Sequence, residues 1–166
     1  MLARVRNVYE KFLEAIVIVL MVALAAEVTV GVVFRYSGHS LVWYDEVATI
    51  LLAWVTFYGS ALAVLKHAHM GVPEIVRMLP PGPRVAAAVL AQLFTLAFFV
   101  LLAWVGYSIL EILAADRLVS LPEVSVAYAN SVIPIGAVLF IVGQLLVLPE
   151  VLREARREHG TAGAHA

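Results

Sequence analysis

Four apolar runs, at 13–34, 47–65, 85–110 and 124–148, decide what this chain can become. At about 1.5 Å of rise per helical residue, each is long enough to cross a hydrocarbon core of about 30 Å. A chain of 166 residues that is 63% hydrophobic and 14% charged cannot keep its surface wet, so membrane lipids must cover much of it. The expected fold is an all-α integral membrane protein with four transmembrane helices and short interfacial amphipathic helices. Residues 1–149 form its single domain. Residues 150–166 are expected to add a charged C-terminal helix, with Glu150, Arg153, Glu154 and Arg157 spaced for pairs three apart, and a disordered tail from Gly160.

The cations report the orientation. Three precede the first run (Arg4, Arg6, Lys11), three lie in the second connection (Lys66, Arg77, Arg84) and three follow the fourth run (Arg153, Arg156, Arg157). The two other connections hold only Arg35 and Arg117. Nine against two on alternating sides predicts both termini and the middle loop in the cytoplasm. Arg4, Arg6 and Lys11, an apolar stretch and Ala23-Leu24-Ala25 also outline a secretory signal with its cleavage site. Glu14 interrupts such a signal, and hydrophobicity resumes beyond Glu27 from Val28 to Phe34, so the first run is read as an uncleaved span. The absence of cysteine excludes disulfides, thiolate metal sites and cysteine nucleophiles. A net charge of -1 argues against a nucleic-acid partner.

Two segments read as helices lying along the cytoplasmic interface. Val5, Val8, Tyr9, Phe12 and Leu13 recur at helical spacing among Arg4, Arg6, Asn7 and Lys11. In the middle loop Val72, Ile75, Val76 and Leu79 repeat the pattern, with Pro73 suited to a first turn. Pro80-Pro81-Gly82-Pro83 is expected to close that loop with a turn.

Glu27 is the acidic residue deepest within a run, and Ala23 and Gly31 sit four residues to either side of it. Such a small-residue face lets another helix approach closely, so Glu27 should face protein rather than lipid. It can be a proton or cation site, or a glutamate that pins a helix pair. Any opposite charge at its depth must come from another chain. At the outer ends, Tyr36, Trp43 and Tyr44 suit an aromatic belt, and Asp45 and Glu46 suit the positive end of a helix dipole. Arg35 and Glu46 can also pair across the turn from Ser37 to Ser40. Trp54, Phe57 and Tyr58 supply bulk in the second run, and Gly59 with Ala63 marks a close helix contact. His67 and His69 are read as interface anchors in preference to metal ligands. Pro134 removes the donor for the Asn130 carbonyl, which predicts a bend there, with Gly136 beside it. Gln92 and Gln144 read as interhelical hydrogen-bonding residues.

In their order and spacing these residues resemble the small membrane subunit, Q-type or DctQ-like, of the TRAP (tripartite ATP-independent periplasmic) transporters. The resemblance runs through Phe34-Arg35-Tyr36, Trp43 with Glu46, Trp54 with Phe57 and Gly59, His69 with Val72, Leu79-Pro80, and Pro134 with Gly136. Pro73 and the segment Glu123-Val124-Ser125 depart from the family's pattern. The resemblance implies a non-enzymatic subunit of a bacterial or archaeal cytoplasmic membrane, supporting a large multi-span permease. That permease carries sodium and organic acids delivered by a periplasmic substrate-binding protein, and no cofactor is expected in this chain. Glu27, Arg35, Tyr36, Trp43, Glu46, Trp54, Gly59, His69 and Pro134 are then expected to serve assembly. The rival reading is an autonomous proton-coupled exporter of the small multidrug-resistance type that uses Glu27. A haem protein needs axial histidines within the runs, and none is there.

Overall fold

A computed structural model describes residues 2–39, 41–66 and 81–162. Helix α1 spans Leu2–Tyr36, α2 Tyr44–Leu65, α3 Pro81–Leu113, the short α4 Val126–Asn130, and α5 Val132–Ala162. Among the described residues, four stretches are long and apolar enough to cross a membrane: Arg4–Tyr36, Tyr44–Leu65, Val89–Leu113 and Val126–Pro149.

The helices stand in a row. Helix α2 packs on α1, α5 packs on α2, and α3 packs on the far side of α5, so that α1 and α3 occupy opposite ends. Near its N-terminal end α1 also reaches α5, through Tyr9 and Leu13. The buried cluster lies there and comprises Leu13, Ala61, Val64, Leu65, Phe140 and Val147. Phe99 of α3 stacks on Phe140, with ring centroids 3.5 Å apart and planes 9° from parallel.

Small residues set the spacing of the middle pair. A methyl group on Gly136 would come 2.7 Å from Phe57 Cβ, so only glycine lets α5 approach α2 at this level. Beside it Ala137 is buried, one turn further on Phe140 is buried, and after a second turn Gly143 lies over Ala61 and Leu65. On the other side of the α5 helix, a methyl on Gly106 of α3 would meet Ile133 and Pro134 at 3.0 and 3.2 Å. The close α2 contact expected at Gly59 and Ala63 is made by Ala61 instead, because the side of α2 that meets α5 carries Phe57, Ala61, Val64 and Leu65. Gly59 has open space beside it within the chain.

Three expectations about chain breaks change. The N-terminal amphipathic segment is no separate interfacial helix; it continues into the first span as one helix of 35 residues, about 50 Å long. Side-chain bonds hold it upright: Arg6 Nη2 donates to the Leu65 carbonyl at 2.8 Å, and the Tyr9 hydroxyl donates to the Leu139 carbonyl at 2.8 Å. Pro81-Gly82-Pro83 opens α3 rather than making a turn before it, since the first turn of a helix needs no backbone donors. Helix α5 passes through Pro149 and Gly160 to Ala162. The flat helix expected over 72–79, and His67 and His69, lie outside the described residues.

The contrast between the two glycines yields a test. Gly136→Leu overpacks the α2–α5 seam and is expected to cost about 1–3 kcal/mol. Thermal unfolding of the purified chain in detergent should show the loss, whereas Gly59→Leu should leave the midpoint nearly unchanged.

Candidate functional site

The side chains singled out in the sequence divide between two places, a polar latch at one end of the row and a carboxylate between α1 and α2.

The latch is built on Glu46, in the first turn of α2. Its carboxylate accepts from the Ser120 backbone N–H at 2.9 Å, from the Val119 N–H at 3.2 Å and from the Ser120 hydroxyl. The expected pair between Arg35 and Glu46 is therefore not formed. The connection after α3 folds back far enough to offer Glu46 two adjacent N–H groups, and Arg35, in the last turn of α1, stays exposed. That connection is itself tied down. Arg117 and Ser125 form an isolated antiparallel bridge, with Leu118 N–H on the Val124 carbonyl and Val126 N–H on the Asp116 carbonyl, both at 3.1 Å. The Ser125 hydroxyl donates toward the Leu113 and Ala114 carbonyls, at 3.4 and 3.2 Å, and its oxygen accepts from Ala127 N–H at 3.3 Å. One buried serine thus finishes α3 and caps α4.

Trp54 belongs to the same construction. Its indole N–H donates to the Ala129 carbonyl at 3.1 Å, and its ring lies 6.2 Å from that of Tyr58. Ala129 sits where the fourth span is interrupted: α4 stops at Asn130, and Ser131 separates it from α5. Pro134, in the first turn of α5, cannot donate to the Asn130 carbonyl, and this accounts for the interruption. The bend expected at Pro134 is thus a short break. Asn130 Nδ2 and the Ser131 hydroxyl then bond to the Val126 and Tyr128 carbonyls, at 3.0 and 2.7 Å. Around the latch, Tyr36, Val42 and Val119 are 91%, 84% and 93% exposed, and Trp43 is 36% exposed, so this end presents apolar and aromatic side chains outward. Gly38, at φ 77°, takes the left-handed conformation that turns the chain after α1.

Glu27 lies below this end, on the α1 face toward α2. One turn above it the ring of Tyr44 fills the space over Gly31, so the small-residue face does receive another helix, through an aromatic ring. Both carboxylate oxygens of Glu27 are shielded from solvent, and neither accepts a hydrogen bond from any described residue. Among the described residues the charge that bears on it is Asp45, of the same sign. A carboxylate in that setting lacks the donor that would offset its desolvation.

The opposite end carries an ion pair. Lys66 Nζ meets Glu14 Oε1 at 2.9 Å, which holds the Lys66 ammonium above its ordinary pKa, and Glu10 adds to the effect. Gln144 Nε2 donates to Gln92 Oε1, joining α5 to α3 beside an apolar groove of about 220 Å³ lined by Val89, Leu93, Leu96, Leu145 and Leu148. Among the described residues, no three His, Asp or Glu side chains gather where they could hold a metal ion. The contacts made by Ser120, Ser125, Tyr9 and Arg6 escaped the sequence reading. A serine immediately before the helical run of α4 is an N-cap signal that could have found Ser125, whereas the other three contacts span 59 to 130 residues and leave no local trace.

A row of four spanning helices, with a polar latch at one end and apolar faces elsewhere, defines an integral membrane protein. Comparison with known proteins places it further. The chain belongs to the family described as tripartite ATP-independent periplasmic transporters, DctQ component, which matches residues 24–154. This is a family of transporter subunits, not of enzymes. The chain is 35% identical over 109 residues to the ectoine TRAP transporter small permease protein TeaB of Halomonas elongata, covering 64% of this chain and 56% of that protein. It is 25% identical over 146 residues to the sialic acid TRAP transporter small permease protein SiaQ of Vibrio cholerae, covering 87% and 83%. A third relative, the C4-dicarboxylate TRAP transporter small permease protein DctQ of Vibrio cholerae, is 27% identical over 101 residues, 60% of this chain and 44% of that protein. The match thus spans about half the length of the ectoine and dicarboxylate relatives.

Glu46→Ala removes three acceptor contacts at once. Amide hydrogen exchange at Val119 and Ser120 is expected to quicken on the order of tenfold, while the α2–α5 core stays protected. Glu46→Gln, which keeps one acceptor oxygen, should fall between.

Proposed function

We propose that the chain is the small transmembrane subunit that packs against and supports the large permease of a TRAP transporter, in sodium-coupled uptake of organic acids delivered by a periplasmic binding protein. The observation that carries the packing role is Glu27. Its two shielded oxygens have no donor among the described residues, and a donor from a neighbouring subunit completes the site. The apolar surface agrees: α3 leaves Leu93, Phe94, Phe98, Leu101 and Trp104 exposed, and α1 leaves Ile18, Val19 and Val22 exposed. Sodium and substrate then belong to the permease. Two of the relatives are named for acids, which supports organic acids as the cargo class.

The orientation follows from charge. Arg6, Lys11 and Lys66 gather at one end of the row, and Arg35 and Arg117 lie at the other, so the first end, with both termini, faces the cytoplasm of a bacterial or archaeal cell. The Glu46 latch then faces the periplasm, Arg35, Tyr36, Trp43, Trp54, Gly59 and Pro134 serve assembly and local structure there and along the spans, and His69 serves assembly from the cytoplasmic loop.

The same carboxylate is what an autonomous proton-coupled exporter would use, and one experiment separates the two readings. The chain is tagged in its native host, extracted gently, and its companions are identified by mass spectrometry. A larger multi-span permease at equal stoichiometry is expected; recovery of this chain alone would contradict the proposal. Glu27→Gln retains an acceptor and should keep the permease bound, whereas Glu27→Leu should reduce its recovery on the order of tenfold. An altered ion stoichiometry in Glu27→Gln with the complex intact would assign Glu27 to transport instead.

A further inference from the structure

The N-terminal end of α1 carries two adjacent ridges that no described residue covers. Arg4, Asn7 and Lys11 follow i, i+3, i+7 along one, and Val5, Val8 and Phe12 follow the same spacing along the next. All six side chains are exposed, with Val5, Val8 and Phe12 at 52%, 65% and 56%. Two shallow grooves run along them, one of about 390 Å³ lined by Arg4, Asn7, Val8 and Lys11, the other of about 620 Å³ lined by Arg4, Val5, Val8, Tyr9 and Phe12.

Charge is sorted around this helix. The acids Glu10 and Glu14 turn toward α2, where Glu14 holds Lys66 and Glu10 adds its field. Arg6 turns inward as well, onto the Leu65 carbonyl. Arg4 and Lys11 remain on the outward side, about 10 Å apart along the axis, with no ion pair to any described residue. A helix about 50 Å long overruns a hydrocarbon core of about 30 Å, so its terminal turns stand at headgroup level. Two uncompensated cations and an amide donor beside an apolar ridge have the complement of an anionic phospholipid: phosphate on the polar ridge, acyl chains along the apolar one.

We propose that Arg4, Asn7 and Lys11, with Val5, Val8 and Phe12, form a binding site for an anionic phospholipid, which holds this end of α1 in the headgroup layer. The inference rests on the spanning helices and not on the permease reading, so either can fail alone.

The test uses the full-length chain in mild detergent, offered phosphatidylglycerol or phosphatidylcholine with matched acyl chains, with bound lipid counted by native mass spectrometry. Wild type is expected to retain the anionic lipid at least about fivefold better, with the preference shrinking as salt rises. Arg4→Gln with Lys11→Gln should bring phosphatidylglycerol down to the phosphatidylcholine level, while Lys66→Gln, whose cation is already paired, should keep the preference. Val8→Ser with Phe12→Ser should lower retention of both lipids. Equal retention of the two lipids by wild type would overturn the proposal, as would a preference that survives the double charge variant. A dimer lost in that variant, without any lipid preference, would give the face to a second copy and overturn it too. If the charge variant cannot be recovered, the headgroup comparison and salt titration of wild type decide alone.

Discussion

The close approach of α2 and α5 is the constraint on which the rest of this molecule depends. Within a bilayer there is no water to squeeze out between helices, and helix pairs are held by contact and by interhelical hydrogen bonds. Contact requires backbones to come near, and Gly136 against Phe57, followed by Gly143 over Ala61, permits it. Because α5 is drawn onto α2 on one side and receives α3 on the other, through Gly106 and the Phe99–Phe140 stack, the four helices form a row rather than a closed bundle. A row has two broad faces and two free ends. Most of its apolar surface is then left for lipid or for another subunit.

Polar contacts cluster where the helices end. Glu46 satisfies two N–H groups of the connection after α3, and Ser125 and Trp54 satisfy carbonyls that the ends of α3 and α4 would otherwise leave without partners. At the other end, Arg6 finishes α2 and Lys66 meets Glu14. The spans themselves are sparing with polar side chains, and Gln92 and Gln144 satisfy each other across α3 and α5. Glu27 departs from this economy, since neither of its oxygens has a donor among the described residues.

The four spans, the Gln92–Gln144 contact and the small-residue face around Glu27 were legible because each depends on local composition and helical period. What could not be read depends on which helices become neighbours. Arg35 and Glu46 are close in sequence, yet Glu46 is claimed by Ser120, 74 residues away. Gly59 and Gly136 look alike as sequence, and only the turn of α2 toward α5 makes one indispensable and leaves the other open. Pro81 to Pro83 carries the composition of a turn, but the same residues suit a helix start, and the long apolar run that follows decides between the two.

The order of helices in the row is the claim to test first, and a chain without cysteine suits the test, since every introduced thiol is unique. Paired cysteines are placed at Phe99 and Phe140, across α3 and α5, and in a second variant at Phe12 and Leu93, on α1 and α3, and both are oxidised in native membranes. The row predicts a rapid intramolecular disulfide in the first variant and none in the second. A disulfide within one chain between positions 12 and 93, formed as readily as that between 99 and 140, would mean that the helices close into a bundle, and the row would be wrong.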